Sequence, residues 1–263
     1  MPENPGMSRR KLIGLGAATV AAPALPDALF RLSSAAAATG PTEGIGYFAR
    51  FGVTEKMLRD GLSAALSRGA DYADLFFQHR VGNSLALEDG EVNRAYASVE
   101  LGVGVRAVKG DQTGYAYTED LTPEALVTAA RTAAAIADGP AKPGPKGLKA
   151  DTALPSRYPV KTRWEDVRPQ QKLPLLSGLN EKVFAADKRI TKVNVFFGDE
   201  AGAILIADSN GRVVEDLQPM TRLGLSCVAE QDGKKETNGY NVAGRADIGY
   251  YSPDRLERIV KER

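Results

Sequence analysis

Hydrophobic and polar positions recur along this chain with two different periods, and the changes between them mark its elements. From Thr54 to Arg68, the residues Met57, Leu58, Leu62, Ala65 and Leu66 return every three or four positions, the stripe of an amphipathic helix, with Gly69 as its stop. The period then shortens to two. Tyr72 to Val81 and Ser84 to Leu87 read as strands, Glu88-Asp89-Gly90 as a turn, and Leu101, Val103, Val105 and Ala107 alternate. Lys109-Gly110-Asp111 turns the chain again before a strand from Thr113 to Tyr117. Thr122 is a natural N-cap with Pro123 at the first helical position, and the alanine-rich helix that follows is expected to end at Gly139.

The same order of events recurs downstream. A helical stretch, Gln170 to Lys188, leads into an alternating run at Val193, Val195 and Phe197 and an apolar run from Ala203 to Ala207. Ser209-Asn210-Gly211 is a tight hairpin turn, a long strand pattern runs from Arg212 through Ala229, and Asp232-Gly233 returns the chain toward Thr237. Ser252 and Pro253 open a last helix with Leu256, Ile259 and Val260 on its apolar side. The expectation is an α+β fold, a mainly antiparallel sheet with packed helices, built from two helix-plus-meander units without measurable sequence periodicity. Between the units, residues 139–163 form a Pro/Lys-rich excursion. Five prolines and the bases Lys142, Lys146, Lys149, Arg157, Lys161 and Arg163 stand there against Asp151 alone. Aromatic interleaving of the kind that single-stranded nucleic acid needs is absent, so a solvated linker is expected.

The first 38 residues follow other rules. Ser8-Arg9-Arg10-Lys11-Leu12-Ile13 is a twin-arginine pattern, Leu12 to Leu25 is apolar but too short and too interrupted by Pro23 and Pro26 for a stable membrane span, and Ala35 to Ala38 offer an A-x-A cleavage site. Ser8, Arg9 and Arg10 are therefore assigned to targeting by the Tat route, toward a periplasmic or extracellular location. Residues 39–53 are a short lead-in to a domain over 54–263. Removing residues 1–38 takes away four Lys or Arg and two Asp or Glu, so the formal charge moves from +1 to −1. That balance suggests no nucleic-acid partner.

Composition narrows the chemistry. The 263 residues, 43% hydrophobic and 25% charged, are ordinary for a globular protein, but they include one histidine, His79, and one cysteine, Cys227. A hydrolytic zinc site takes about three protein ligands, and Ser or Cys nucleophiles usually require a histidine base. One cysteine also forbids an intramolecular disulfide. Both residues lie in strand-like runs, where packing roles are expected: Cys227 as a small buried hydrophobe and His79 as a packed or edge residue. No serine stands in a G-x-S-x-G context. Gly102-Val103-Gly104 falls inside an alternating strand, not at a strand-to-helix turn, so it lacks phosphate-binding geometry.

Several short runs, in order, carry a resemblance. Asp71-Tyr72-Ala73-Asp74-Leu75-Phe76-Phe77-Gln78, Leu87-Glu88-Asp89-Gly90, the run from Gly102 to Gly110 and Thr113-Gly114-Tyr115-Ala116-Tyr117 look like the amino-terminal domain of the TldD/PmbA family of metalloproteases. So do Ala186-Asp187-Lys188-Arg189 and Glu230-Gln231-Asp232-Gly233-Lys234-Lys235, and the likeness, over 54–263, leans toward the TldD branch. The resemblance implies a two-domain subunit whose carboxy-terminal domain binds zinc through H-E-x-x-x-H and a downstream Cys, the Glu serving as general base. It implies peptide or unfolded-protein substrates and pairing with a TldE (PmbA)-like subunit or as a homodimer.

The 263 residues contain no such motif. No catalytic, cofactor or metal ligand is therefore assigned here, and the catalytic domain is expected after Arg263. Two functions follow as expectations. The chain is a substrate-admitting and assembly part of an exported metallopeptidase, inactive alone, or a self-standing non-catalytic binding module.

Overall fold

A computed structural model describes residues 45–137, 139–151 and 157–263. Targeting residues Ser8, Arg9 and Arg10 lie outside the described residues. Helix α1 (Glu55–Ala65) is capped by the Thr54 side chain, which accepts from the Met57 amide, and Gly69 ends the segment at φ +84°, a conformation that favours glycine. Strands β1 (Tyr72–Glu88), β2 (Glu91–Lys109) and β3 (Gln112–Thr118) follow as a meander. Thr122 caps α2 (Pro123–Ala134), which stops five residues short of the expected Gly139. The two-residue strand β4 (Lys149–Ala150) lies in the Pro/Lys-rich excursion. The second unit comprises α3 (Pro169–Ala186), β5 (Ile190–Asp208), β6 (Arg212–Gln231), β7 (Lys234–Gly244) and α4 (Pro253–Lys261), the last capped by Ser252.

The α+β expectation holds. One sheet runs in the order β3-β2-β1-β5-β6-β7, antiparallel throughout, and β4 alone adds in parallel beside the start of β6. The β1–β5 ladder, from Asp74↔Asp208 to Glu88↔Asn194, joins the two meanders at the centre. Two runs expected as separate strands are each one strand: β1 continues through Gly82 and Asn83, and β5 through Gly198 to Gly202. Ladder hydrogen bonds on both sides carry the backbone across these stretches, where apolar alternation fades.

Register then fixes the layers. On β1, β5 and β6 the odd-numbered residues share one face, because Leu75, Ala207 and Val213 lie in one row and Leu87, Val195 and Leu225 in another. Helices cover that face in two patches. Leu75, Phe77, Val105 and Leu205 pack under α1 and α2, while Leu87, Val195, Phe197 and Leu223 pack under α3 and α4. The even-numbered face of the same strands, with Phe76 and Met220, lacks such a layer among the described residues. Such one-sided cover suits antiparallel sheets.

Candidate peptide groove and the fate of the histidine and cysteine

The two residues with the clearest chemical potential are held apart. His79 sits in the row His79–Ala203–Leu217, whereas Cys227 pairs with Val193, ten residues further along β6. At about 3.3 Å per residue that separates them by roughly 33 Å, so one ion cannot take both. The His79 ring contacts Phe51 edge-on, and its Nδ1 shares a 2.7 Å hydrogen bond with the Tyr47 hydroxyl, whose direction is set by the imidazole tautomer. Burial lowers the His79 pKa, with Glu165 acting the other way, and burial likewise raises the Tyr47 phenol. Cys227 is buried among Val193 and Leu225, and burial raises its thiol pKa, the opposite of what a reactive cysteine needs. Both residues therefore occupy packing positions. Among the described residues, no group of three or more His, Cys, Asp and Glu side chains stands close enough to hold a metal. The donor set does not fit a zinc ion.

Tyr47 belongs to a segment the sequence left without structure, the lead-in. Its single 3-10 turn (Phe48–Phe51) is pinned by Glu215 of β6, whose carboxylate accepts from the amides of Gly46, Tyr47 and Phe48. A carboxylate at a helical amino terminus satisfies donors that otherwise have no partner. Reading along the chain could not find this pair, 168 positions apart.

A second buried cluster lies where β1, β5 and β6 cross under α3. Lys172 of α3 forms an ion pair with Asp199, the Asp199 Oδ1 accepts from Asn83 Nδ2 at 2.9 Å, and the ammonium lies 5.8 Å from the ring centres of Trp164 and Phe197. Next to it, the hydroxyls of Thr221 and Tyr251 are 2.6 Å apart. Burial raises the Asp199 pKa, and Lys172 and Asn83 pull it back down. With both side chains of the pair sealed from solvent, this cluster anchors α3 and offers no access to a substrate.

Access exists elsewhere. A groove of about 490 Å³ runs between the outer edge of β3 and the flank of α2, lined by Ala116, Tyr117 and Thr118 on the strand and by Glu124, Thr128 and Thr132 on the helix. It arises because β3 is the last strand of the sheet, so its outer backbone groups have no ladder partner among the described residues, while Gly114 brings the end of α2 close to the strand. Thr128 and Thr132 turn their hydroxyl protons onto helix carbonyls, to Glu124 O and Thr128 O. Tyr117, 72% exposed, flanks its rim. A free strand edge beside a helix is the geometry that accepts an extended peptide as an added strand.

Two family models match, PmbA/TldA metallopeptidase domain 1 over residues 73–137 and the PmbA/TldA metallopeptidase central domain over residues 162–263. The chain belongs to the TldD/PmbA family. The TldD homolog metalloprotease of Haemophilus influenzae is 31% identical over 188 residues, a match covering 70% of this chain and 38% of that relative. Metalloprotease PmbA of Escherichia coli O157:H7 is 25% identical, with 76% and 46% covered. Thus the match spans less than half the length of these TldD/PmbA relatives. The fold recurs in the crystal structure of TldE from Thermococcus kodakarensis (TM-score 0.57, 18% identity, 79% of this chain and 46% of that one). It recurs also in a proposed modulator of DNA gyrase from Bacteroides thetaiotaomicron (TM-score 0.62, 17% identity, 78% and 49% covered). The two TldD/PmbA matches fall on the two helix-plus-meander units, one on each side of the Pro/Lys-rich excursion.

Proposed function

We propose that this chain is the substrate-admitting and assembly portion of an exported TldD-like zinc metallopeptidase, receiving unfolded or extended peptides and performing no hydrolysis by itself. The observation that carries the reading is the groove between β3 and α2, which pairs an unpartnered strand edge with a helix wall in a member of a metallopeptidase family. The zinc that the metalloprotease relatives imply would be held outside the 263 residues, which carry one histidine and no H-E-x-x-x-H. A TldE-like subunit or a second copy is the assembly partner in this reading, and Ser8-Arg9-Arg10 directs export by the Tat route.

The groove is tested by fluorescence anisotropy with labelled, unstructured peptides of about ten residues. Wild-type chain is expected to bind them saturably, and Thr128→Trp, which fills the groove from an exposed helix position, to weaken binding at least tenfold with an unchanged circular dichroism spectrum. Equal affinity in the two proteins sinks the groove as the site. Export is tested separately: Arg9→Lys with Arg10→Lys is expected to retain the protein in the cytoplasm, and continued export would remove the targeting assignment.

A further inference from the structure

The distal half of β2 is exposed in an unusual way. Every residue from Glu91 to Glu100 is solvent-exposed, on both faces of the strand. Val92, Tyr96 and Val99 are 47%, 58% and 64% exposed. On its inner side this stretch pairs with β1, but β3 reaches only as far as Val103↔Thr118, so the outer backbone groups of residues 91–101 have no ladder partner among the described residues. The end of β3 closes the stretch, since the Thr118 carbonyl would lie 3.0 Å from a Cβ added to Gly102, closer than an ordinary van der Waals contact. Edge strands are usually defended by lysine, proline or a covering element. None of residues 91–101 is a lysine or a proline, whereas the other long edge, β7, begins with Lys234-Lys235.

Charge selects the occupant. Arg94 has no ion-pair partner among the described residues. Glu100 is 62% exposed and only 3.5 Å from Arg80, which has its closer partner in Glu200. When a strand pairs with its own copy about a two-fold axis normal to the sheet, facing residues must share parity, because each keeps its face. With the axis at Ala97, Arg94 faces Glu100 of the second copy twice over, Val99 faces Ala95, and Tyr96 faces Ser98. Axes at Ala95, Tyr96 or Ser98 face Arg94 with Tyr96, Ser98 or Gly102 and leave Arg94 without a facing carboxylate. The axis at Ala97 is also the centre of residues 93–101, the span that fits before the end of β3.

We propose that residues 93–101 of β2 pair antiparallel with the same residues of a second copy of this chain, about a two-fold axis at Ala97, joining two sheets edge to edge. This rests on the assembly half of the proposed function and deepens it by naming the surface; the peptide groove lies along β3 and α2 and shares no residue with 93–101, so either can fail without the other.

The full chain is examined by sedimentation velocity and by disulfide trapping. A dimer is expected at micromolar concentration, and Arg94→Glu, which sets like charges opposite each other at two places, is expected to weaken it about tenfold or more. In a Cys227→Ser background, Ala97→Cys is expected to give a disulfide-linked dimer under mild oxidation, since facing Cα atoms in an antiparallel pair lie about 4.5–5.5 Å apart, within disulfide reach. Ser98→Cys, whose two copies stand roughly 8 Å apart in this register, is expected not to cross-link. A chain that stays monomeric at 100 µM, a dimer indifferent to Arg94→Glu, or cross-linking of Ser98→Cys in place of Ala97→Cys overturns the proposal. Thermal melts of each variant that match the parent separate loss of pairing from loss of fold.

Discussion

The two helix layers on the single sheet are closed by different means. Over β1 to β3, α1 and α2 approach through small residues: Ala129, Ala130 and Ala133 are buried on α2, and Gly61 of α1 leaves room for Leu126, whose Cδ2 would sit 2.9 Å from an added Cβ. The result is an apolar interface sealed by shape. Over β5 to β7, α3 sends Lys172 into the core from the stripe Lys172, Leu176, Leu179, Asn180 and Val183, and Asp199, Asn83 and two aromatic rings receive it. The first arrangement gains from dense packing and tolerates no added volume. The second depends on both members of an ion pair, since a buried charge without its partner is far more costly than an apolar pair of similar size. Each half should therefore break under a change that the other would absorb.

The largest effect is expected at Lys172. Lys172→Met leaves Asp199 buried without its cation and should cost about 3–5 kcal/mol in urea denaturation. Adding Asp199→Leu to that variant should recover most of the loss, and failure to recover would mean that the pair contributes more than mutual neutralisation. Next comes Gly114 of β3, where an added Cβ would collide with the Ala133 carbonyl of α2. Gly114→Ala should destabilise by about 1–3 kcal/mol, whereas Gly178→Ala on α3, with open space around it, should be neutral or stabilising. Equal effects at the two glycines would erase the contrast between the layers.

The smallest effect concerns the lead-in, which docks over the first layer. The folded His79 pKa lies below its ordinary value of 6.5, so on acidification the unfolded chain takes up the proton first. The stability tied to neutral His79 is complete above about pH 6.5 and is lost as pH falls through the folded pKa. His79→Phe should flatten the decline in melting temperature between pH 7.5 and 5.5 relative to the parent, and parallel declines would show that the histidine does not contribute to it.

Much of this architecture could be read along the chain, because its signals are local. Thr54, Thr122 and Ser252 cap helices as their side chains allow, and Asp89-Gly90, Gly110, Gly211 and Asp232-Gly233 turn the chain at positive φ. The expected packing roles of His79 and Cys227 also correspond to their places in β1 and β6. Less legible was the extent of the strands. Glu91 to Glu100 lacks apolar alternation, having no layer to pack against on either face among the described residues, so the distal part of β2 escaped a reading based on burial. Lys172 escaped for the opposite reason: a lysine is read as solvated until its partner, 27 positions away on strand β5, comes into view. The groove beside β3 was equally invisible, since it depends on β3 being the last strand of the sheet.

The sequence by itself determined the α+β class, the two helix-plus-meander units, the helix caps and turns, and the family, all of which rest on residue identity over short distances. Tertiary structure alone decided that the two meanders merge through the β1–β5 ladder, that both helix layers share one face, and which edges stay open. The physical reason is range. Backbone propensity and capping act within a few residues, whereas pairing order and the burial of a charge are settled by which distant strands compete for the same hydrogen bonds and the same space.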